Sequence, residues 1–270
     1  MTKIRNLILD MDGVLWRGDT AMPGLVAFFD TLRQLDIGFI LATNNATKTA
    51  DEYVQKLANM GVTILAEQIL TSATTTAAYL ADRYPTGTAI YIIGTSSLHK
   101  TMKDQGFHII AANEVEAGAK AHLVVVGFTP FLEYKELAMG SLLVHKGARF
   151  IGTNPDPSIP SEIGPLPGAG AILAAISAAT GVQPFIVGKP GPTIFEEAID
   201  RLAGSKNNTA MVGDRLSTDI AGAKDAGLST ILLLSGISSR KDIGDSGVKP
   251  DYVFSDIQQL ARELQAQDGM

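Results

Sequence analysis

The chain has 270 residues, with 22 Lys and Arg against 28 Asp and Glu, a formal charge of −6, and no cysteine. Since no block of basic residues occurs, we expect no nucleic-acid partner and no membrane partner. The lack of cysteine excludes disulfides, thiolate catalysis and cysteine-based zinc sites. Hydrophobic residues at 46% and charged residues at 19% indicate a folded protein of one large α/β domain or two ordinary domains.

No targeting segment is predicted. The segment MTKIRNLIL does not resemble a secretory signal, because Asp10 interrupts its apolar run and no small-residue cleavage site follows. The longest apolar runs fall short of the ~20 residues that span a bilayer. We therefore expect a cytoplasmic protein. The four histidines, His99, His108, His122 and His145, lack the spacing of metal ligands and indicate ordinary surface or packing positions.

Runs rich in Val, Ile and Leu alternate with segments of helical periodicity, which is typical of a parallel sheet covered by helices on both faces. The series begins with a strand at 6–10, a helix at 25–35, a strand at 38–45 and helices at 51–60 and 73–84. The alternation continues from 86 to 156 and again from 184 to 265. A loop rich in Pro and Gly at 156–170 precedes an Ala-rich helix that ends at Gly181 and that we expect to be buried.

Four predicted strands end in polar residues. The first is followed by Asp10 and Asp12, the second by Thr43 and Asn44, and two later ones, FIVG and AMVG, by Lys189 and Asp214. In an open parallel sheet the carboxyl ends of the strands share one edge, and ligands bind in the crevice outside it. We therefore expect these residues to converge on one site.

The charges of these residues indicate the kind of site. Asp10, Asp12 and Asp214, with Asp219 five residues further on, would repel one another unless a cation were present, and Lys189 supplies a single positive charge. Carboxylates without His or Cys suit a hard cation, and Mg²⁺ fits best because it shares its coordination shell with water and phosphate. The pattern predicts a Mg²⁺ site and an anionic substrate.

The same residues suit phosphoryl transfer. Asp10 is the expected nucleophile, which attacks phosphorus to form an acyl phosphate. Asp12 is the expected acid and base, which protonates the leaving oxygen and then activates water. Gly13 allows the turn that lets both carboxylates face the substrate. We expect Thr43, Asn44, Asn45 and Lys189 to bind the phosphate oxygens.

Structural alternatives exist for each of these residues. Asp10 and Asp12 also suit a surface turn, and Lys189 suits a surface position near a helix start. Thr43 and Asn44 also suit an N-cap of the next helix, and Asn45 suits a role in holding its loop. Asp214 and Asp219 would then be a loop acid and a helix-cap acid, and the loop of Asn154, Pro155 and Asp156 a simple turn. The motifs taken together favour the functional interpretation.

The stretches DMDGVL, ATNN, VGKP and GDRLSTD, in that order, resemble the four motifs of the haloacid dehalogenase superfamily. The block between the second and third motifs, with GTNPD and the loop that runs into PGAG, resembles class IIA, which includes the NagD-like and 4-nitrophenylphosphatase-like enzymes. The resemblance implies an α/β fold with a Rossmann-like parallel-sheet core at 1–85 and 185–270. An inserted α/β cap of the class IIA type at 86–184 would be mobile and could mediate a homodimer.

The resemblance also implies a ligand set and an activity. Mg²⁺ would be held by the Asp10 carboxylate, the Asp12 backbone carbonyl and Asp214, with Asp219 behind the ligands. Dehalogenases of the superfamily lack the second aspartate of the first motif, and transport ATPases carry threonine there. Asp12 therefore favours a phosphatase or a phosphomutase.

We predict a Mg²⁺-dependent phosphatase that hydrolyses a small phosphorylated metabolite, such as a sugar phosphate, a nucleotide or a compound like 4-nitrophenyl phosphate, through an aspartyl phosphate. A phosphomutase of the same fold stays open at this point. So do a phospho-acceptor that resembles response-regulator receivers and a phosphometabolite-binding protein without catalysis.

Overall fold

The computed structural model describes residues 4–159 and 163–268, which form two compact units. Unit 1 takes in the described residues of Met1–Thr43, Ala50–Leu70 and Lys189–Met270. Unit 2 takes in those of Asn44–Thr49 and Thr71–Gly188. Each unit has its own parallel sheet.

The strands, numbered in chain order, are β1 (Asn6–Leu9), β2 (Trp16–Arg17), β3 (Thr20–Ala21), β4 (Gly38–Thr43), β5 (Ile69–Thr71), β6 (Ala89–Ile93), β7 (His108–Ile110), β8 (Leu123–Val126), β9 (Arg149–Gly152), β10 (Ser158–Ile159), β11 (Leu166–Pro167), β12 (Phe185–Ile186), β13 (Thr209–Gly213), β14 (Ser229–Leu233) and β15 (Tyr252–Phe254).

The α-helices are α1 (Leu25–Gln34), α2 (Ala50–Asn59), α3 (Ser72–Ala81), α4 (Ser96–Asp104), α5 (Ala112–Glu116), α6 (Tyr134–His145), α7 (Ala169–Thr180), α8 (Pro192–Arg201), α9 (Ala221–Asp225), α10 (Arg240–Ser246) and α11 (Ile257–Asp268). A 3₁₀ turn covers Ala66–Gln68, and a π-helical turn covers Leu216–Ile220.

The sheet of unit 1 has the strand order β15-β14-β13-β1-β4-β5 among the described residues, and β1 pairs in parallel with both β13 and β4. Side chains of β1 alternate between its two faces. Leu7 and Leu9 join the cluster formed with α1 and α11, whereas Ile8 joins the cluster formed with α8. Because both faces are covered, every residue of β1 is buried, which explains the apolar run of Leu7, Ile8 and Leu9 within it.

The sheet of unit 2 has the order β12-β9-β8-β6-β7 within the described chain, with parallel pairing. It is likewise covered on both faces, since Val125 of β8 packs in one cluster and Val124 and Val126 pack in another. The short strands β10 and β11 pair antiparallel in the predicted loop at 156–170, of which residues 160–162 lie outside the described part.

Two expectations about elements are wrong. The Ala-rich α7 is buried along one face only, through Ala169, Ile172, Leu173 and Ile176, because its other face consists of small residues that lose little by contact with water. The strand before Lys189 does not belong to the sheet of Asp10. β12 pairs with β9 in unit 2, and the chain enters unit 1 only at Lys189. A short apolar run carries no signal of which sheet it joins.

The predicted α/β class with a parallel, doubly covered sheet is confirmed. The predicted boundaries of core and cap, at 86 and 184, stay a prediction; the compact units change at Asn44, Ala50, Thr71 and Lys189. No helix in the described part of the chain is both long and apolar enough to cross a membrane. The compartment and a homodimer stay predictions.

Candidate active site

Three of the predicted site residues lie at one edge of the unit 1 sheet. Leu9, the last residue of β1, is in register with Val212 of β13 and with Leu41 of β4. Asp10 follows at the end of β1, and its backbone N–H donates to the Val212 carbonyl at 2.8 Å. Asp214 follows β13 and Thr43 ends β4, so the parallel register brings all three strand ends to the same edge.

Asp10, Asp214 and Asp219 form a compact acidic cluster. Each offers a carboxylate oxygen that lies within 4.8 Å of the others, and all three residues are buried. Lys189 is 1% exposed, and its ammonium lies 2.8 Å from Asp219 Oδ1 and also pairs with Asp10. Lys189 is therefore no surface lysine.

The cluster carries more negative than positive charge. Burial raises the pKa of Asp10 well above its usual value, and the charges of Asp219 and Asp214 raise it further, although Lys189 opposes them. Burial and the Asp219 charge raise the pKa of Asp214 to about 6. Burial lowers the pKa of Lys189, but the attraction of Asp10 and Asp219 outweighs it, so this pKa is raised and the ammonium stays charged.

The donor set of this cluster fits a hard divalent cation. It offers carboxylate oxygens close together, and one ammonium does not balance them. The backbone also approaches Asp214 closely, since a Cβ added to Gly13 or to Gly236 would overlap its carboxylate. The N–H of Ile237 donates to Asp214 Oδ2 at 2.8 Å and thereby fixes the direction of this side chain.

Asp219 has a structural and an electrostatic role at once. Its Oδ2 accepts from the backbone N–H groups of Asp214, at 3.2 Å, and of Arg215, at 3.0 Å, in the loop that opens the π-helical turn. Its Oδ1 pairs with Lys189. Asp219 can therefore hold the loop, as the capping alternative has it, and also hold Lys189. It lies in the acidic cluster although it was not among the predicted Mg²⁺ ligands.

Asp12 lies on a tight turn, as the structural alternative proposed. Gly13 has φ +85°, and its N–H donates to the Trp16 carbonyl at 2.7 Å. The Asp12 side chain is exposed and lies outside the acidic cluster, and its Oδ1 accepts from Trp16 Nε1 at 2.8 Å. The turn and an accessible carboxylate therefore coexist.

The residues directly after β4 belong to unit 2 and are held within it. The Asn44 carbonyl accepts from Ser72 Oγ at 2.7 Å and from Asn154 Nδ2 at 2.8 Å, and its Nδ2 donates to Asp156 Oδ2 at 3.1 Å. The loop of Asn154 and Asp156 is therefore more than a simple turn. Because α2 begins only at Ala50, the N-cap alternative for Asn44 is wrong.

Thr43 and Asn45 differ in what surrounds them. Thr43 is buried at the end of β4 in unit 1 and does not cap α2 either. The Oδ1 of Asn45 accepts from the backbone N–H of Thr47, at 2.9 Å, and from its hydroxyl, at 2.7 Å, an Asx-type turn that supports the loop-holding alternative.

Tyr53 is a further residue near the acids that sequence reasoning missed. Its ring is 1% exposed. Burial raises the pKa of its hydroxyl, and the negative charges of Asp12 and Asp10 raise it further, so the phenol stays neutral. Its position on the apolar face of the amphipathic α2 is that of an ordinary core residue, which is why no motif identified it.

Residues 7–108 match the family of haloacid dehalogenase-like hydrolases, and residues 186–260 match the HAD-hydrolase-like family. The acid sugar phosphatase of Staphylococcus aureus is 36% identical over 265 residues, which cover 98% of this chain and 100% of the relative. The 4-nitrophenylphosphatase of Thermotoga maritima has a TM-score of 0.90 at 37% identity, with 98% of each chain covered. A glycerol phosphate phosphatase from Mycobacterium tuberculosis, solved in complex with magnesium, has a TM-score of 0.87 at 32% identity over 97% of this chain and 78% of its own.

The parallel sheet with an acidic cluster at its carboxyl edge, together with these matches along nearly the whole chain, defines a hydrolase of the α/β class. The chain belongs to the haloacid dehalogenase-like hydrolases, as the motifs predicted. It is an enzyme of the phosphatase class, in the branch similar to the 4-nitrophenylphosphatases.

Proposed function

We propose that this enzyme is a Mg²⁺-dependent phosphomonoesterase that acts on sugar or polyol phosphates through an aspartyl phosphate on Asp10. The observation that carries the proposal is the buried group of Asp10, Asp214, Asp219 and Lys189 at the end of the central strand. The names of the relatives, an acid sugar phosphatase and a glycerol phosphate phosphatase, support a small phosphorylated alcohol as the substrate.

The proposed ligands of Mg²⁺ are the carboxylates of Asp10 and Asp214 and the backbone carbonyl of Asp12. A bound Mg²⁺ supplies positive charge that offsets the repulsion between the phosphate and these carboxylates. The magnesium complex of the mycobacterial relative and the excess negative charge of the cluster support this choice. Asp219 holds Lys189 beside Asp10, where its ammonium can meet an equatorial phosphate oxygen.

The proposed reaction has two displacements. The Asp10 carboxylate attacks phosphorus, the bond from phosphorus to the leaving oxygen breaks, and Asp12 gives its proton to that oxygen. Asp12, now a carboxylate, then takes a proton from water as the water oxygen attacks the aspartyl phosphate. Inorganic phosphate leaves, Asp10 is restored as a carboxylate, and Asp12 is again protonated.

The phosphate oxygens need donors besides Lys189. The hydroxyl of Thr43, at the end of β4, is the proposed second donor, because it shares the sheet edge with Asp10. Asn44 follows it directly in the chain, and its backbone N–H is the third proposed donor. Since its side chain bonds Asp156 and that of Asn45 bonds Thr47, we propose weaker roles for these two amides.

The test measures phosphate release from a panel of sugar, polyol, nucleotide and 4-nitrophenyl phosphates, with and without Mg²⁺. Turnover should require Mg²⁺ and should vanish in Asp10→Asn, while circular dichroism stays unchanged. The matched control is Asp30→Asn, which removes an exposed carboxylate on α1 that pairs with Arg33 at 3.1 Å and should leave turnover intact.

The other activities give distinct outcomes in the same experiment. Return of the phosphoryl group to a sugar would indicate a phosphomutase, and a long-lived phosphoprotein without turnover would indicate a phospho-acceptor. Binding of phosphorylated compounds without any turnover would indicate a binding protein. Substantial turnover in Asp10→Asn would sink the proposed mechanism.

A further inference from the structure

We propose that Trp16 is a positioning residue of the reaction, whose indole N–H holds the Asp12 carboxylate in the orientation needed for proton transfer to the leaving oxygen. This inference rests on the proposed function, in which Asp12 is the acid and base. It adds a residue that lies outside the motif DMDGVL and that acts through the side chain of Asp12 without touching the phosphate in the proposed mechanism.

The contact joins an exposed group to a buried one. Trp16 Nε1 donates to Asp12 Oδ1 at 2.8 Å, while the Trp16 residue is 0% exposed and Asp12 is open to solvent. An exposed carboxylate on a short side chain otherwise exchanges among several rotamers. A donor that is itself packed in the core selects one of them.

The backbone fixes the distance between the two residues. The Gly13 N–H donates to the Trp16 carbonyl at 2.7 Å, and the Leu15 N–H donates to the Met11 carbonyl at 2.8 Å, which closes the chain between Asp12 and Trp16. The Gly13 carbonyl also accepts from Ser235 Oγ at 2.8 Å. The turn is thus tied to the loop after β14.

The indole has two further side-chain contacts, both from α2. Its ring stacks on Tyr53, with centroids 6.1 Å apart and planes 19° from parallel, and the Lys56 ammonium lies 4.6 Å from the Trp16 ring centroid. Lys56 in turn donates to the Gly18 carbonyl at 2.6 Å. These contacts leave the N–H little freedom to follow a moving carboxylate, so Asp12 must adapt to Trp16.

The indole also decides which oxygen of Asp12 can transfer the proton. An indole nitrogen only donates, so Oδ1 must accept in this contact and the transferable proton belongs on Oδ2. A general acid has to lie within ~2.6–3.2 Å of the atom that it protonates. Trp16 therefore sets both the oxygen and the direction of transfer.

This role predicts a dependence on the leaving group. Departure of an alkoxide from a sugar or glycerol phosphate requires a proton from Asp12 as the bond to phosphorus breaks. The 4-nitrophenolate ion is a stable anion near neutral pH and leaves without that proton. Loss of the N–H should therefore slow the first class of substrate and spare the second.

The test compares Trp16→Phe with the wild-type enzyme at saturating Mg²⁺, on glycerol phosphate and on 4-nitrophenyl phosphate. In a single turnover with enzyme in excess, we expect release of glycerol from glycerol phosphate to slow about tenfold or more and release of 4-nitrophenol to slow less than about threefold, as for partial loss of acid catalysis. This measurement reports the first displacement alone and leaves out the second, in which Asp12 acts as the base for both substrates. Asp12→Asn should show the same selectivity, and the double variant should add nothing to it.

Two controls separate positioning from packing. Phe28→Leu leaves a gap in the same hydrophobic cluster and should lower both activities equally or not at all. If Trp16→Phe does not fold, replacement of Trp16 by benzothienylalanine keeps the ring shape, substitutes sulfur for the N–H, and should give the same selectivity.

The outcomes distinguish the inference from the function on which it rests. The first case is a wild-type enzyme that turns over both substrates with Mg²⁺ and an Asp10→Asn variant that does not. Equal losses on both substrates in the Trp16 variant, or no loss on either, would then overturn the role of Trp16 and leave the proposed function standing. A wild-type enzyme without Mg²⁺-dependent turnover would instead overturn the proposed function and the role of Trp16 with it.

Discussion

The Lys189 ammonium lies 2.8 Å from Asp219 Oδ1 and pairs at the same time with Asp10, and all three side chains are almost entirely buried. The backbone N–H groups of Asp214 and Arg215 donate to Asp219 Oδ2 and hold this carboxylate in place, so it positions the Lys189 ammonium. The pairing places a permanent positive charge against Asp10. Its cost is the desolvation of several charges in one small volume.

Removal of Lys189 should reveal the free-energy cost of burying these carboxylates. In Lys189→Met the buried carboxylates lose their counter-charge, and we expect the free energy of unfolding without Mg²⁺ to fall by about 3 kcal/mol, together with loss of activity. Because Mg²⁺ would then be the main source of positive charge, it should raise the melting temperature of the variant more than that of the wild type. Thermal unfolding with and without Mg²⁺ measures both effects.

Lys224→Met is the matched control, since Lys224 forms an exposed pair with Asp251 at 3.5 Å in the same unit. We expect this exposed pair to contribute less than about 1 kcal/mol. Equal melting temperatures for Lys189→Met and the wild type in the absence of Mg²⁺ would contradict the assignment of Lys189 as the compensating charge.

Asp214→Asn tests the metal site. The asparagine keeps the shape and one oxygen but loses the charge, so we expect the Mg²⁺ concentration for half-maximal activity to rise about tenfold or more. The Ile237 N–H still finds an acceptor, which limits the effect on folding. A titration of activity against Mg²⁺ gives the result, and an unchanged midpoint would remove Asp214 from the proposed ligands.

The sequence predicted those residues of the candidate site that directly follow a strand of the unit 1 sheet. Asp10 and Asp214 are read from apolar runs that stop at an acid, and parallel register necessarily brings such ends to one edge. Lys189 was predicted for the wrong sheet, because the two-residue β12 has no feature that distinguishes a core strand from a strand of unit 2. The sequence did not identify Trp16 and Tyr53. A buried aromatic residue that lies beside a carboxylate occupies the same kind of position in the hydrophobic pattern as one that only fills the core.

Gly13→Ala should damage both stability and activity. The positive φ of +85° costs an alanine about 1–2 kcal/mol. The new Cβ would also overlap the Asp214 carboxylate, at a further cost of about 1–3 kcal/mol. Activity should fall strongly as well, because the overlap displaces a proposed Mg²⁺ ligand.

The matched control for this change is Gly87→Ala. Gly87 has nearly the same φ, +83°, but a Cβ there meets nothing within 4 Å. Gly87→Ala should therefore lose only the stability that the positive φ costs an alanine, and it should keep full activity. Urea unfolding and phosphatase assays on both variants separate the two contributions, and equal losses of stability would show that the approach of Gly13 to Asp214 is unimportant.

Asp251 has hydrogen bonds that predict a pH dependence of stability outside the active site. Its Oδ2 accepts from the backbone N–H and from the hydroxyl of Thr230, both at 2.8 Å. Partial burial raises the pKa of Asp251, but these hydrogen bonds outweigh it, and the net pKa lies below the usual 3.8. A carboxyl whose pKa is lowered on folding stabilises the native state above its unfolded pKa and loses that contribution as pH falls through the folded pKa.

Replacement of this carboxylate should therefore matter at neutral pH and not in acid. We expect Asp251→Asn to lower the free energy of unfolding by about 1 kcal/mol at pH 7 and to match the wild type increasingly as the pH drops below 3.8. Asp245→Asn, which removes an exposed carboxylate on α10, should change little at either pH. A difference for Asp251→Asn that stays constant down to about pH 2, measured by urea unfolding, would show that the charge of Asp251 is not what Thr230 stabilises.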